Sequence, residues 1–427
     1  MPMFRMKIFA FFFLISLTSA FSQIPEACYS PNIRSAQLYP SGNQLGYPVI
    51  RLGAVGQMEL HFDVLGGDVG NYSYTFQLCN ADWTPAMLSH FDFIKGFSQA
   101  RITDYRISSV AYTRYTHYRA VLPERNCVPS RSGNYILKVF LDGDTSNLVF
   151  TKRMLVVEDK STIAAQIQQP YNGQLFHTHQ KVQFKVSLNE RVDVVNAQQQ
   201  IKVAILQNNR WDNAVTGIRP TFFSRNVLEY NTENDAVFAA GKEWRWLDIR
   251  SFRLRSDRVA AIQSTAAATT ITVKPDGTRS GQRFNFYRDA NGRYYLQPTE
   301  SINPLWQSDY ATVLFTYVPE GNRPYPGKDI FLFGQLSNYN LDDTAKMKYN
   351  AEKGVYETSL LLKQGYYDYM YVTKDHDDPR HMASFSETEG DLWETENEYS
   401  ILVYYRPLGG RADELIGYSR INSVKPR

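Results

Sequence analysis

Cysteine is scarce: the 427 residues contain three, Cys28, Cys79 and Cys127. That number and spacing fit neither a disulfide framework nor a zinc site. One pair could bond in an oxidising compartment, and Cys79, at a strand end, reads equally as a small buried hydrophobe. An excess of one charge is also lacking. The formal charge of +3 falls to +1 once an N-terminal segment carrying Arg5 and Lys7 is removed. A chain so close to neutral has no basic face with which to displace counterions from a duplex, which argues against nucleic acid as a partner. After the N-terminal segment no apolar run reaches the ~20 residues a helical span needs, so no direct membrane span is expected.

The motifs of common catalytic sites are missing as well. There is no Gly-x-Ser-x-Gly elbow and no His-Glu-x-x-His helix. His177-Thr-His179 would place two imidazoles on one strand face, a spacing that can hold a metal, yet no third histidine or carboxylate cluster accompanies it. Lys374-Asp-His-Asp-Asp-Pro379 has carboxylates enough to attract calcium but lacks the glycine and distal glutamate of an EF-hand loop, and reads as a solvated turn. Carboxylate pairs for glycoside hydrolysis are available in abundance, but nothing selects one. The chain is therefore read as non-enzymatic, with no catalytic residue, metal site or cofactor assigned.

Aromatic residues are what the chain has in quantity: 14%, including 29 Tyr and 25 Phe. These suit pleated, half-buried surfaces and point to an all-β chain. Met1–Ser22 has the form of a cleaved signal peptide. Arg5 and Lys7 supply the positive start, Ile8–Leu17 the apolar run, and Thr18–Ser22 the small-residue zone, with cleavage after Ala20 or Ser22. An exported product is expected.

The most informative stretch is Tyr72–Tyr118. It begins as an alternating strand, Tyr72–Leu78, breaks at Cys79-Asn-Ala-Asp-Trp83-Thr-Pro85, and runs through Phe91, Phe93 and Phe97. Arg101-Ile-Thr-Asp104-Tyr105 follows, before a second strand, Tyr115–Leu122. Connections in compact domains usually take about 4–6 residues, and long aromatic ones are commonly binding elements.

Further on, Asp142-Gly143 between two β-rich runs marks a hairpin, because both residues must reach positive φ. The turn into Tyr135 and this hairpin resemble the last strands of an immunoglobulin-like sandwich. Residues 23–159 then form a first sandwich with a long inserted loop, residues 160–300 a middle one, and residues 301–427 a third. In the middle stretch Lys181–Leu188 and Gln200–Leu206 alternate as strands, and Asn291-Gly292 is expected to close a hairpin between Phe284–Tyr287 and Tyr294–Leu296. Trp244–Arg255 reads either as a partner patch or as a strand whose arginines snorkel to water. The third unit resembles early-set modules related to glycogen- and starch-binding domains. Ser337-Asn338-Tyr339-Asn340 stands where those modules carry a sugar platform, and a spacer role is favoured. The fold class is all-β, tandem immunoglobulin-like and early-set sandwiches after a cleaved leader.

Tyr74–Trp83, Phe91-Asp-Phe93-Ile-Lys-Gly-Phe97, Arg101–Tyr105 and Tyr115–Tyr118 together resemble the first domain of the type IX secretion system Plug proteins of Bacteroidota. Trp246-Leu-Asp248-Ile-Arg250-Ser-Phe252 through Val259 is similar to that family's middle region. The resemblance implies a periplasmic protein at the outer membrane, without an anchor of its own. It would seal the periplasmic mouth of the SprA/Sov-type translocon barrel when no cargo passes. Candidate partner-binding residues are Trp83, Phe91, Phe93, Phe97, Arg101, Asp104 and Tyr105 in the loop, with Trp246 and Arg250 in the second motif. The competing reading packs Phe91, Phe93 and Phe97 back onto the sandwich. A periplasmic or cell-surface carbohydrate-binding protein, argued from Tyr339, is the alternative, although carbohydrate is not the expected partner.

Overall fold

A computed structural model describes residues 25–378 and 382–424. The leader at Met1–Ser22 and Pro379 of the acidic turn lie outside the described residues. Strand accounts for 46% of the described residues and helix for 4%, so the architecture is all-β.

The first unit is a sandwich of two sheets. One runs in the order Ile33–Pro40, Met58–Leu65, Tyr115–Leu122, Asp104–Ile107. The other runs Val49–Arg51, Leu148–Val157, Gly133–Leu141, Tyr72–Cys79, Ala100–Arg101. Alternation decides which side chains meet inside: Met58, Leu60, Phe62 and Val64 from one sheet face Tyr72, Tyr74, Phe76 and Leu78 from the other. Phe62 stacks on Tyr118 and meets Tyr72 and Phe150 edge-on. Asp142 and Gly143 both take positive φ and turn Gly133–Leu141 into Leu148–Val157.

The outward faces of this sandwich are also covered. Cys79, Ile136, Leu155 and Val157 pack against Ala204, Leu206, Leu402, Tyr404 and Leu415 of the second unit. On the opposite side, His61 and Asp63 are buried beneath the third unit. A β-sandwich with both outer faces engaged is a central layer rather than the first bead of a string.

The second and third cores do not follow a boundary at residue 300. Ser161–Gln168, His179–Leu188 and Val227–Tyr230 form one sheet of the second unit. Its facing sheet joins Ile201–Gln207 to Glu398–Tyr405 and Glu414–Asn422 from the end of the chain. Val182, Phe184, Val203 and Ile205 share one core with Tyr399, Ile401 and Val403. The third unit is inserted between them. Arg245–Asp248, Tyr294–Tyr295 and Lys328–Phe333 all pair with Tyr366–Asp375. A second sheet holds Val259–Ser264, Thr269–Val273, Tyr310–Val318 and Val355–Lys363. Residues 244–300 therefore belong with the third core, and the chain's last hairpin closes the second. Alternation identifies a strand and its buried face but not its partner, which is why local pattern placed these segments by chain order.

Asn291-Gly292 turns as expected, with both φ positive, but Phe284–Tyr287 is not a strand and Tyr294–Tyr295 pairs with Tyr366–Asp375 instead. Glycine is required there for packing too, since a Cβ at Gly292 would lie 2.6 Å from the Trp244 ring.

Candidate docking surface and the buried contacts behind it

The segment between Tyr72–Cys79 and Tyr115–Leu122 is ordered by a series of local devices. Asp82 Oδ1 accepts from the Thr84 amide and hydroxyl, and the Asn80 amide donates to the Thr84 carbonyl, which folds the chain tightly at Trp83. A one-turn helix, His90–Phe93, follows, with Asp92 accepting from the Ser89 amide at its start. Phe91 and Phe93 are two positions apart, so they leave this turn on different sides. Phe93 is 1% exposed and enters the first core, whereas Phe91 is 89% exposed. At Gly96 (φ +99°) a Cβ would lie 2.1 Å from the Asn126 carbonyl oxygen, so only glycine lets Ile94–Gly96 pair with Cys127–Pro129. Phe97 emerges next, 66% exposed.

The chain then crosses the open side of the sandwich. Ala100–Arg101 pairs with Tyr72–Cys79 in one sheet, Ile102 is buried at the crossing, and Asp104–Ile107 pairs with Tyr115–Leu122 in the other. Arg101, Asp104 and Tyr105 are exposed, and among the described residues no strand pairs with the outer backbone edge of Asp104–Ile107. The tip beyond is held by the third unit: Asp309 accepts from the Tyr112 and Thr113 amides, and the Ser109 amide donates to the Trp306 carbonyl.

The expected site residues thus divide. Phe91, Phe97, Arg101, Asp104 and Tyr105 are presented to solvent. Phe93 is a core residue, because its place on the helical turn points it inward. Trp83 is also withdrawn. Its ring meets Trp211 edge-on at 4.9 Å, and the Arg153 guanidinium lies 5.1 Å from its centroid, in the seam between the first two units. Trp246 and Arg250 sit on the third unit, where Trp246 stacks on Tyr366 and Arg250 forms a two-pronged pair with Asp248. Exposed Met87, Ile107, Val110 and Tyr112 are additional apolar surface that the sequence reading passed over. Only Val110 carried a local signal: a β-branched residue in a Ser- and Thr-rich tip, here at φ +71°.

Two further sequence readings concern Tyr339, where the sugar platform is the less favoured alternative, and the His177–His179 pair. Tyr339 is not a free sugar platform: its ring packs edge-on against Phe333 and Trp244, and its hydroxyl donates to the Gly292 carbonyl. His177 lies outside the strands and is exposed, while His179 is half-buried and bonded to Thr178, so the pair does not share a strand face. All three cysteines are free, and burial pushes the Cys79 and Cys127 thiols up to about 12, which keeps them protonated.

Behind the loop lies a buried polar chain that no local pattern announced. Asp63 accepts from His117 Nδ1 at 2.6 Å, from the Tyr310 hydroxyl at 2.6 Å and from Lys363 Nζ at 2.5 Å. His61 Nδ1 lies 3.1 Å from His117 Nε2, and His61 Nε2 lies 3.0 Å from Glu59. The run therefore begins at a partly exposed carboxylate and ends at a lysine of the third unit. Burial works against ionisation of Asp63, but Lys363 and His117 outweigh it and hold the carboxyl below its usual range.

Burial, with His117 adding to it, pushes His61 down to about 4. The unfolded chain takes up this proton near pH ~6.5. Between those values the unfolded state binds more protons, so stability falls as pH drops from about 6.5 to about 4. The expected loss is about 2–3 kcal/mol. Urea unfolding across that range measures it, and His61→Gln should flatten the slope; an unchanged slope in the variant would assign the effect elsewhere.

A contrasting cluster occurs where the third unit leaves the second. Burial, then nearby carboxylates, push Glu243 up to about 8 and Asp289 up to about 6. Asp368, beside them, is raised by burial and by Asp289.

The type 9 secretion system plug protein 1st domain matches residues 33–158, which is the whole first sandwich with its inserted segment. A crystal structure of a hypothetical protein from Parabacteroides merdae is 32% identical, with a TM-score of 0.88. The match covers 93% of this chain and 98% of that one, so all three units and the insertion are shared. The chain belongs to the type 9 secretion system plug protein family. No curated protein matches it. Family membership associates the chain with the secretion machinery rather than with a known enzyme class. Among the described residues no helix is long and apolar enough to cross a membrane.

Proposed function

We propose that this plug-family protein is a non-enzymatic periplasmic body that closes the periplasmic end of the SprA/Sov-type outer-membrane translocon barrel between cargo passages. The observation that carries the reading is the family match over residues 33–158, the region that presents Phe91, Phe97 and the open edge Asp104–Ile107. Closing a wide pore calls for a bulky body that does not deform. Three sandwiches joined across buried seams, apolar between the first and second units and polar between the first and third, meet that demand better than beads on flexible linkers. Release calls for a docking surface of mixed character, and isolated aromatics beside Arg101 and Asp104 suit a reversible interface.

The test is co-purification from outer membranes. Wild type is expected to bring down a very large β-barrel. The double variant Phe91→Ser with Phe97→Ser is expected to lose about tenfold or more of that recovery at unchanged melting temperature, since both rings are exposed. Phe93→Ser is the control that fails for another reason, by unfolding the first core. A folded double variant that retains full recovery removes the loop from the interface, and absence of any barrel with wild type removes the plug reading.

A further inference from the structure

Three acidic side chains from separate stretches converge at the base of the inserted unit. Glu243 lies on the outgoing connection, between Val237–Ala239 and Arg245–Asp248. Glu396 lies on the returning connection, ahead of Glu398–Tyr405, and Asp289 comes from a loop of the third unit. One oxygen from each lies within 4.8 Å of the other two.

The neighbouring cations are turned to other partners. Lys242 donates to the Arg279 and Gln282 carbonyls, and Arg293 donates to the Ala290 and Leu45 carbonyls. Glu243 is 2% exposed; its Oε1 accepts from the Glu396 amide at 3.1 Å, while its Oε2 is buried with no amide, hydroxyl or cation donating to it, and the other side chain it meets is the Asp289 carboxyl. Asn291 adds a second such oxygen: its Nδ2 donates to Glu396 at 3.0 Å, and its Oδ1 is buried without a donor. Buried acceptors without donors are rare in folded proteins and call for an explanation.

We infer that Glu243, Asp289 and Glu396 bind a divalent cation of the calcium class, with Asn291 Oδ1 and water as further oxygen ligands. Calcium takes 6–8 oxygens at about 2.3–2.6 Å, so two of its ligands are at most about 5 Å apart, and these carboxylate oxygens, all within 4.8 Å of one another, satisfy that limit. No thiolate or imidazole belongs to the set, so a soft metal is disfavoured. Bound there, the ion clamps the two connections to each other and to the third unit, and fixes the angle at which that unit leaves the second. The inference is independent of the plug reading.

The test uses the full chain stripped with EDTA. Addition of about 1 mM CaCl2 is expected to raise the melting temperature by a few degrees. Titration calorimetry should show one site per chain, with Kd on the order of 10⁻⁴ M or tighter. Asp289→Asn and Glu396→Gln, each checked for native circular dichroism, should weaken binding about tenfold or more. Asp289 and Glu396 are both half-buried, unlike Glu243, and lie on different segments, so either variant keeps the test open if the other does not fold. Absence of both heat and thermal shift overturns the inference. So does a calcium response that survives both substitutions, or a response to MgCl2 alone.

Discussion

Lys363→Met is expected to cost about 3–5 kcal/mol of unfolding free energy and to loosen the seam between the first and third units. Lys363 is fully enclosed, with its ammonium 2.5 Å from Asp63 and 2.6 Å from the Leu305 carbonyl, over the face of the Tyr115 ring. Its removal leaves Asp63 buried with only His117 and Tyr310 to stabilise its charge. The penalty is that of an abandoned carboxylate, much larger than the net worth of the pair while both partners are present. The double variant Asp63→Leu with Lys363→Met should therefore recover much of the loss. Urea unfolding gives the energies, and limited proteolysis of residues 300–309 reports whether the seam has opened. A single-variant cost below about 1 kcal/mol would mean that water already reaches the pair. Because these residues tie the inserted loop's own sheet to the third unit, the same variant links the rigidity of the body to its proposed sealing role.

Arg245→Met should produce a loss of similar size, about 3–5 kcal/mol, from a different place. The Arg245 guanidinium spans Glu389 at 2.9 Å, Asp276 at 2.8 Å and the Gly277 carbonyl at 2.7 Å, with the Tyr371 ring beside it. Arg279 and Arg258 complete the cluster on Glu389 and Asp276. Burial alone would raise Glu389, but Arg245 and Arg279 bring it down to about 2. Its folded value lies below its unfolded one, so the stability it contributes is present above pH ~4.5 and is lost as pH falls towards 2. Arg245→Lys should recover less than half of the loss, because an ammonium cannot serve two carboxylates and a carbonyl with the fork of a guanidinium. Equal stability of the lysine and wild-type proteins would show that charge alone is sufficient there.

The loop illustrates how far residue pattern reaches. Its length and aromatic content marked Tyr72–Tyr118 as the place to look, and Phe91 and Phe97 are indeed at the surface. Phe93 and Trp83 looked the same in sequence and are buried, the first by one helical turn and the second by Trp211 of another unit. A single aromatic residue does not reveal whether a second surface will cover it. The buried histidine and aspartate of Met58–Leu65 were hidden for the same reason. On the outer face of an isolated sandwich His61 and Asp63 would be ordinary solvated residues, and Asp63 becomes a buried staple only through Tyr310 and Lys363 of the third unit.

What the sequence determined by itself is local. Alternation, the Asp142-Gly143 and Asn291-Gly292 turns and the tyrosine-rich strands specify an all-β chain and a first sandwich, because strand period and positive φ are properties of neighbouring residues. The motifs around Trp83, Phe93 and Tyr105 also carried the family resemblance. The tertiary structure alone decided which strands share a core: Glu398–Tyr405 joins Ile201–Gln207 across an inserted unit. It alone brought Asp63 to Lys363, Arg245 to Glu389, and Glu243 to Glu396. Those meetings depend on burial and on hydrogen bonds between residues 144 to 300 positions apart, and no window of the chain contains both ends.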